Sequence, residues 1–409
     1  MGAAPAPPDS ISPAASTGFD RAHWLRVARE TSDDLATDAV AREQAGKVPF
    51  DEVSRLREAG LLTLMISAES GGGDADWRTA YAIVREIAAA DGAIGQLLGC
   101  HYFMSSSARF FATPALAAQV ARNSVAGQWC WGGGLAHQEP PLRLIKAAHG
   151  YVLNGRQTYV SGALVADRLA VRAVRADTGE PIAVAVDPAA RGVVIDADRD
   201  TFGQRLAAGG SVEFDAVPVA ADKLLGSLSA DEDVLSPSAA LASPVGRLVS
   251  AQLCLGMAEG VLAEAREYSR AGNSPWHPVW PVSSPQDPHV LTVYGELTVV
   301  TRSAAAVTDQ ATEALHAGLA RGEDLTYDQY AEISVLVAVA EAATSRAVQD
   351  ATARALDIMG PRSVSSRLGF DRFWRNARTH TLYEPAAGRL RDVGDYFLNG
   401  AHPPFILPA

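Results

Sequence analysis

Cysteine is scarce in this sequence: three in 409 residues, Cys100, Cys130 and Cys254, with no C-x-x-C spacing. Their separation disfavours a disulfide framework and a zinc site alike, and fits a reducing cytoplasm. Cys130 reads more readily as a buried inert thiol than as a reactive one. Runs of lysine or arginine are missing too, and the net charge is −12. An acidic surface repels phosphate backbones, so nucleic acid is disfavoured as a partner. No G-x-G-x-x-G follows a strand-like run, which argues against a Rossmann dinucleotide site, and no Lys-Ser/Thr follows Gly71-Gly72-Gly73 to make a phosphate cradle. No uninterrupted apolar run approaches the length of a membrane span. Residues 1–18 lack the basic and apolar regions of a signal peptide and read as a disordered lead-in. With 48% hydrophobic and 20% charged residues, the composition is that of a soluble globular chain with room for two or three core-bearing layers or domains.

What is present changes period twice. Residues 19–123 carry helical spacing, with a helix over 50–59 that stops at Gly60 and another from Trp77 that Asp76 is placed to cap. An apolar helix continues from Asp91 and holds His101 and Tyr102 in its middle. A core histidine and tyrosine with backbone partners is the plainer account of this pair. A polar end to an apolar pocket is the functional one. From Ser124 the period falls to two, and strands are expected at 125–131, 142–148, 151–153, 168–174, 182–186 and 211–217. Asn154-Gly155, between strand-like runs, is a hairpin signal. After about residue 229 the helical period returns, with helices over 288–320 and 327–359 and a Pro/Trp-rich excursion between helices that holds Trp276 and Trp280. The alanines at 340, 343, 347 and 351 suit close helix packing. The expected architecture is α+β: an N-terminal helical domain (19–123), a middle β-domain (124–228) and a C-terminal helix bundle (229–409).

The richest chemistry sits in residues 369–388, where Arg372, Arg375 and Arg378 alternate with Phe370, Phe373, Trp374 and Tyr383 around His380 and Glu384. His380 and Glu384 are four residues apart, on one helical face, and Pro385 interrupts the helix just after them. The plain alternative is a C-terminal helix with core aromatics and solvated arginines.

That order of domains, with Leu98-Gly-Cys-His-Tyr102, residues 154–163, residues 217–226 and above all residues 370–382, resembles the acyl-CoA dehydrogenase superfamily of flavoproteins. The closest pattern is its oxygen-using branch, the two-component flavin hydroxylases related to dibenzothiophene monooxygenase. The resemblance spans about 19–404 and implies a middle β-barrel-like domain, a C-terminal four-helix bundle and a homotetramer. It places Trp129, Tyr159, Val160 and Ser161 against the flavin, with Ser161 on its N5 edge. Gln128 stands where the branch has an asparagine near the reacting oxygen. His101, Tyr102 and His380 match its polar pocket residues. Arg270, Met359, Gly360 and Arg362 resemble contacts to a pyrophosphate or adenosine end, which inclines the cofactor to FAD over FMN. The branch usually has His-Asp where this chain has Tyr383-Glu384. Glu384 falls instead where dehydrogenases place their α-proton base.

The implied reaction is hydroxylation of an electron-rich aromatic heterocycle of indole or carbazole type, through a flavin C4a-hydroperoxide, in natural-product biosynthesis. Reduced flavin would come from a separate reductase, with molecular oxygen as co-substrate. Such chemistry needs a dry pocket. Trp129 and Trp131, with Trp276, Trp280 and Tyr383, are the expected aromatic walls and lid, although core and subunit packing accounts for tryptophans equally well. His380 is expected to titrate in the neutral range as acid or base, and Gln128 to orient oxygen. The competing readings are an acyl-CoA dehydrogenase with Glu384 as base, an amine N-hydroxylase or sulfur-heterocycle monooxygenase of the same fold, and a helical scaffold without cofactor.

Overall fold

The computed structural model describes residues 19–197, 200–231, 234–271, 286–383 and 385–408. The N-terminal region is α1 (Arg21–Ala45), α2 (Phe50–Glu58), α3 (Trp77–Ala90), α4 (Gly92–Phe111) and α5 (Pro114–Gly127). Short polar side chains open four of them. The carboxylates of Asp20, Asp76 and Asp91 and the Thr113 hydroxyl accept backbone N–H groups that the first helical turn leaves unpaired. Helix α5 runs through Gly127 and ends at Gln128 in the left-handed conformation (φ 45°). The strand expected from Val125 therefore begins only at Trp131. Val125, Ala126 and Gly127 suit either state, and Thr113-Pro114 had already committed the chain to helix.

The middle region is one mixed sheet of eight strands: β1 (Trp131–Gly134), β2 (Leu142–Lys146), β3 (Tyr151–Val160), β4 (Arg168–Arg175), β5 (Pro181–Val186), β6 (Val193–Asp196), β7 (Gly210–Val219) and β8 (Leu224–Ser227). Its order is β6-β7-β3-β2-β4-β5-β8, and β1 runs parallel to the first half of β4 while β2 runs parallel to its second half. Asn154-Gly155 is not the hairpin turn. The β2–β3 turn closes earlier, where Ala147 N–H donates to Gly150 O, and Asn154-Gly155 lies inside β3 at a bulge. There the Asn154 carboxamide oxygen accepts from Ala216 N–H, and Gly155 takes φ 124°. Asn-Gly suits a bulge and a turn for the same reason, tolerance of positive φ.

The C-terminal region is α6 (Pro237–Ala240), α7 (Ala242–Arg270), α8 (Pro288–Arg321), α9 (Tyr327–Met359), α10 (Asp371–Tyr383) and α11 (Ala386–Asn399). The stretch Pro237–Arg270 has the length and hydropathy of a membrane span, more than the sequence reading allowed. Yet 78% of its most apolar window is buried within the protein, so it is the core helix of the bundle. It lies close against α3 because Gly256 and Gly260 carry no side chain. A Cβ on them would come within 2.3 Å of Arg85 O and 2.0 Å of Ala89 O. One continuous core joins the N- and C-terminal helices, and a second lies within the sheet.

Candidate active site

Helix α1 ties together the starts of the two helices that matter most. Buried Arg42 donates to Asp91, the cap of α4, at 2.8 Å and lies 3.3 Å from Glu52. The next residue, Glu43, pairs with Arg375 of α10. Arg372, also on α10, is held by Glu264 of α7 and by Gly369 O. These arginines anchor the helix rather than lying solvated, and a buried charge needs such partners. Asn376 then locks α10 to the loop before β7: its side-chain oxygen accepts Gln204 N–H at 2.7 Å, and its backbone oxygen accepts from the Gln204 amide.

From that anchorage α10 and α4 converge on the end of β3. Near the start of α4, a Cβ on Gly92 would lie 3.5 Å from Asn376 Cβ. Two turns on, Cys100 Sγ lies 3.9 Å from Ser161 O, just past β3. At the far end of α10 the ring of Tyr383 packs on that of Tyr159, with centroids 5.2 Å apart and planes at 58°. Between these contacts lies His380, one turn after Asn376 and one turn before Tyr383. It is buried, and its Nε2 has no hydrogen-bond partner among the described residues. Native proteins seldom leave a buried polar atom unpaired, and such an atom marks a place that a ligand or water completes. Burial drops the His380 pKa to about 4. The expectation that it titrates near neutrality is corrected: the free side chain is a neutral hydrogen-bonding group.

Sequence reasoning chose the wrong face of α4. His101 is wholly engaged in structure. Its Nε2–H donates to Leu62 O at 2.8 Å, and its Nδ1 accepts Trp131 N–H at 2.9 Å. Burial lowers its pKa to about 4 as well. It fastens β1 to the helical layer and has no free atom for chemistry, which is the plainer of the two accounts given above. Tyr102, at 0% exposure, stands about 200° around the helix from Cys100, on the side where Gly95 and Gly99 meet α3 and α7. Its hydroxyl is buried and unpaired, but it does not face Ser161. Between Asp91 and Met104, only Gln96 and Cys100 escape full burial. They are one turn apart on the side that meets Ser161. Gly95 and Gly99 mark the face packed on α3 and α7, and residue 100 lies well around the helix from both. Burial pushes the Cys100 thiol up to about 12, so it stays protonated.

Two family models match this architecture: acyl-CoA dehydrogenase, N-terminal domain, over 22–128, and acyl-CoA dehydrogenase, C-terminal domain, over 242–392. The chain belongs to the acyl-CoA dehydrogenase superfamily. Among its relatives, dibenzothiophene monooxygenase of Rhodococcus erythropolis is 34% identical, over 93% of this chain and 94% of its own. TdsC from Paenibacillus sp. A11-2, solved with FMN and indole, superposes with a TM-score of 0.89 at 34% identity, covering 94% of this chain and 99% of that one. Methanesulfinate monooxygenase MsuC from Pseudomonas fluorescens gives 0.88 at 30%, covering 94% and 98%. Within the acyl-CoA dehydrogenase superfamily the chain falls in the oxygen-using branch.

The remaining expected acyl-CoA dehydrogenase-type contacts divide. Ser161 is partly exposed, and its hydroxyl has no partner among the described residues. Val160 is fully buried in the sheet core, so only its backbone is available to a ligand. Trp129 and Trp131 line a different cavity of about 240 Å³, walled by α5, β5 and the segment 217–223, whose lining includes none of Tyr159, Ser161 or His380. Trp131 is turned there by its Nε1–H bond to Ser124, and Trp129 by Arg168, whose guanidinium stands 4.0 Å from its ring centroid. Gln128 is an exposed helix cap whose backbone oxygen accepts from Arg57. Among the described residues no contact links it to His380. Arg270 lies exposed at the end of α7, 3.8 Å from Glu267. Met359 is buried, Gly360 turns the chain at φ 73°, and Arg362 is exposed beyond it. Trp276, Trp280 and Glu384 lie outside the described residues.

Proposed function

We propose that this flavin-dependent monooxygenase oxygenates a small aromatic heterocycle of indole type, with reduced FMN delivered by a separate reductase. The observation that carries the reading is the buried, unpaired His380 Nε2 where α4, α10 and the end of β3 meet. What the residues there offer suits a reduced isoalloxazine: a free Ser161 hydroxyl for a ring N–H, an unpaired imidazole nitrogen and flanking aromatic rings. Bound reduced flavin would supply the activation of dioxygen, and the protein would supply position, dryness and protons. Ser161 Oγ would accept a hydrogen bond from the cofactor's ring edge. His380 Nε2 would hydrogen-bond the reacting oxygen or the substrate. Because negative charge nearby favours the protonated imidazole, its pKa would rise as an anionic cofactor enters the cleft, so that His380 gains proton-donating capacity only when the site is loaded. FMN is preferred to FAD because TdsC carries FMN and because Arg270, expected at a pyrophosphate, is paired on the surface with Glu267.

The protein would work in the cytoplasm as a homotetramer. Leu291 and Val299 on α8 and Phe397 and Leu398 on α11, all more than half exposed, supply apolar faces for subunit contact. Sedimentation at equilibrium tests that, and a monomer would refute it. The activity test combines purified protein, NADH, a flavin reductase, FMN and indole under labelled oxygen. One labelled oxygen atom in the product is expected. Product without oxygen, or no product from indole, dibenzothiophene or carbazole, overturns the reading. Rapid bleaching of bound flavin by an acyl-CoA without reductase would point to dehydrogenation instead.

A further inference from the structure

Tyr159 is one of six residues other than glycine with positive φ among the described residues (φ 57°), and its ring meets α10. The pairing of β3 with β7 slips between Gln157 and Val160, so the strand bulges where Tyr159 sits. A bulky residue rarely takes that backbone conformation, and such strain collects at ligand clamps and active sites. A bulge re-aims a side chain. Here the ring, 53% exposed, packs on Tyr383 rather than into the sheet. Tyr383 is only partly buried and stands one turn beyond buried His380 on the same helix. The two rings thus join the end of β3 to α10, one helical turn beyond the buried, unpaired imidazole.

From these observations we infer that Tyr159 and Tyr383 form an aromatic gate over the His380 cleft, which binds planar aromatic heterocycles by ring stacking and disfavours small non-aromatic sulfur compounds. The inference rests on the function proposed above and names its specificity determinant. Rings with centroids about 4.5–7 Å apart attract through edge and face, and a planar guest inserted beside them gains the same contact while covering the apolar edges of both. A methanesulfinate-sized guest has no face to offer.

Binding of indole to the flavin-free protein, read by calorimetry, tests the gate apart from catalysis. Tyr159→Gly deletes the ring at a backbone conformation glycine adopts without strain, so the variant should fold, as circular dichroism and thermal melting would show. Tyr383→Ala deletes the opposite ring. Each is expected to weaken indole binding roughly tenfold, the loss of one good aromatic contact, and to raise KM for indole more than it lowers kcat. Folded variants that bind indole within twofold of wild type overturn the gate, and do so even when wild type oxygenates indole, which leaves the proposed function standing. Wild-type protein that neither binds nor oxygenates indole or dibenzothiophene, or that prefers methanesulfinate, overturns the gate and the underlying reading alike.

Discussion

Replacing His380 by alanine removes a buried imidazole whose Nε2 is unpaired among the described residues, and replacing His101 removes one whose two nitrogens are both engaged. The first should cut oxygenation by about a hundredfold or more, the usual weight of a positioned acid or base, while reduced flavin still binds and the protein melts near its wild-type temperature. Stopped-flow turnover with equilibrium flavin titration checks both parts, and unchanged turnover would remove His380 from the mechanism. Ser161→Ala is expected to raise hydrogen peroxide leakage per NADH consumed, since its hydroxyl is the free group on the strand side. Equal coupling in variant and wild type would count against that role. The sequence singled out His380 because the residues around it are so densely cationic and aromatic, and the structure shows it buried with Nε2 unpaired among the described residues. His101 misled because one histidine in an apolar helix reads the same whether its nitrogens are spent on backbone or kept for a ligand. Only the positions of Leu62 and Trp131 decide that. The neutral state of His380 was not legible either, because it depends on burial by segments far apart in the chain.

Among elements, the longest helices were the easiest to read. The expected 327–359 matches α9 (Tyr327–Met359), and 288–320 differs from α8 (Pro288–Arg321) by one residue, because a capping residue or proline opens each and glycine closes it. The failures came where one short signal served two structures. Asn154-Gly155 made a bulge in place of a turn, and 125–127 made a last helical turn in place of a strand. The helix pairing itself rests on small residues that carried no clear signal. Gly260 faces Ala89 O and Gly256 faces Arg85 O across the α3–α7 contact, beside the Arg85–Glu259 ion pair. Gly260→Val forces backbone apart from backbone, and overpacking of this kind costs roughly 1–3 kcal/mol. The chemical denaturation midpoint should fall accordingly, and α4, which packs on the same pair of helices, should become more open to hydrogen exchange. A midpoint equal to wild type would mean that the helices can separate freely there.

At the scale of the whole molecule, His101 and His380 give stability a pH dependence of definite sign. Both have pKa lowered by burial to about 4 from an ordinary 6.5. Between those values the unfolded chain binds a proton at each that the folded chain refuses, so stability falls as pH drops from about 6.5 towards 4 and is unaffected by these groups above that window. The loss is on the order of a few kcal/mol per histidine across it, with a slope of at most about 1.4 kcal/mol per pH unit for each proton. His380→Gln keeps a polar group of similar size that never protonates. It should therefore flatten the slope by up to one proton's worth while His101 keeps the other, as urea midpoints taken from pH 7 to pH 4 would show. A bound anionic ligand should act in the same direction by raising the His380 pKa in the folded state, so FMN added to wild type should mimic the substitution between pH 6.5 and 4. If the variant keeps the full wild-type slope, His380 is not buried neutral in solution. The acid sensitivity then belongs to His101 and the carboxylates, and the role proposed for a buried neutral His380 loses its main support.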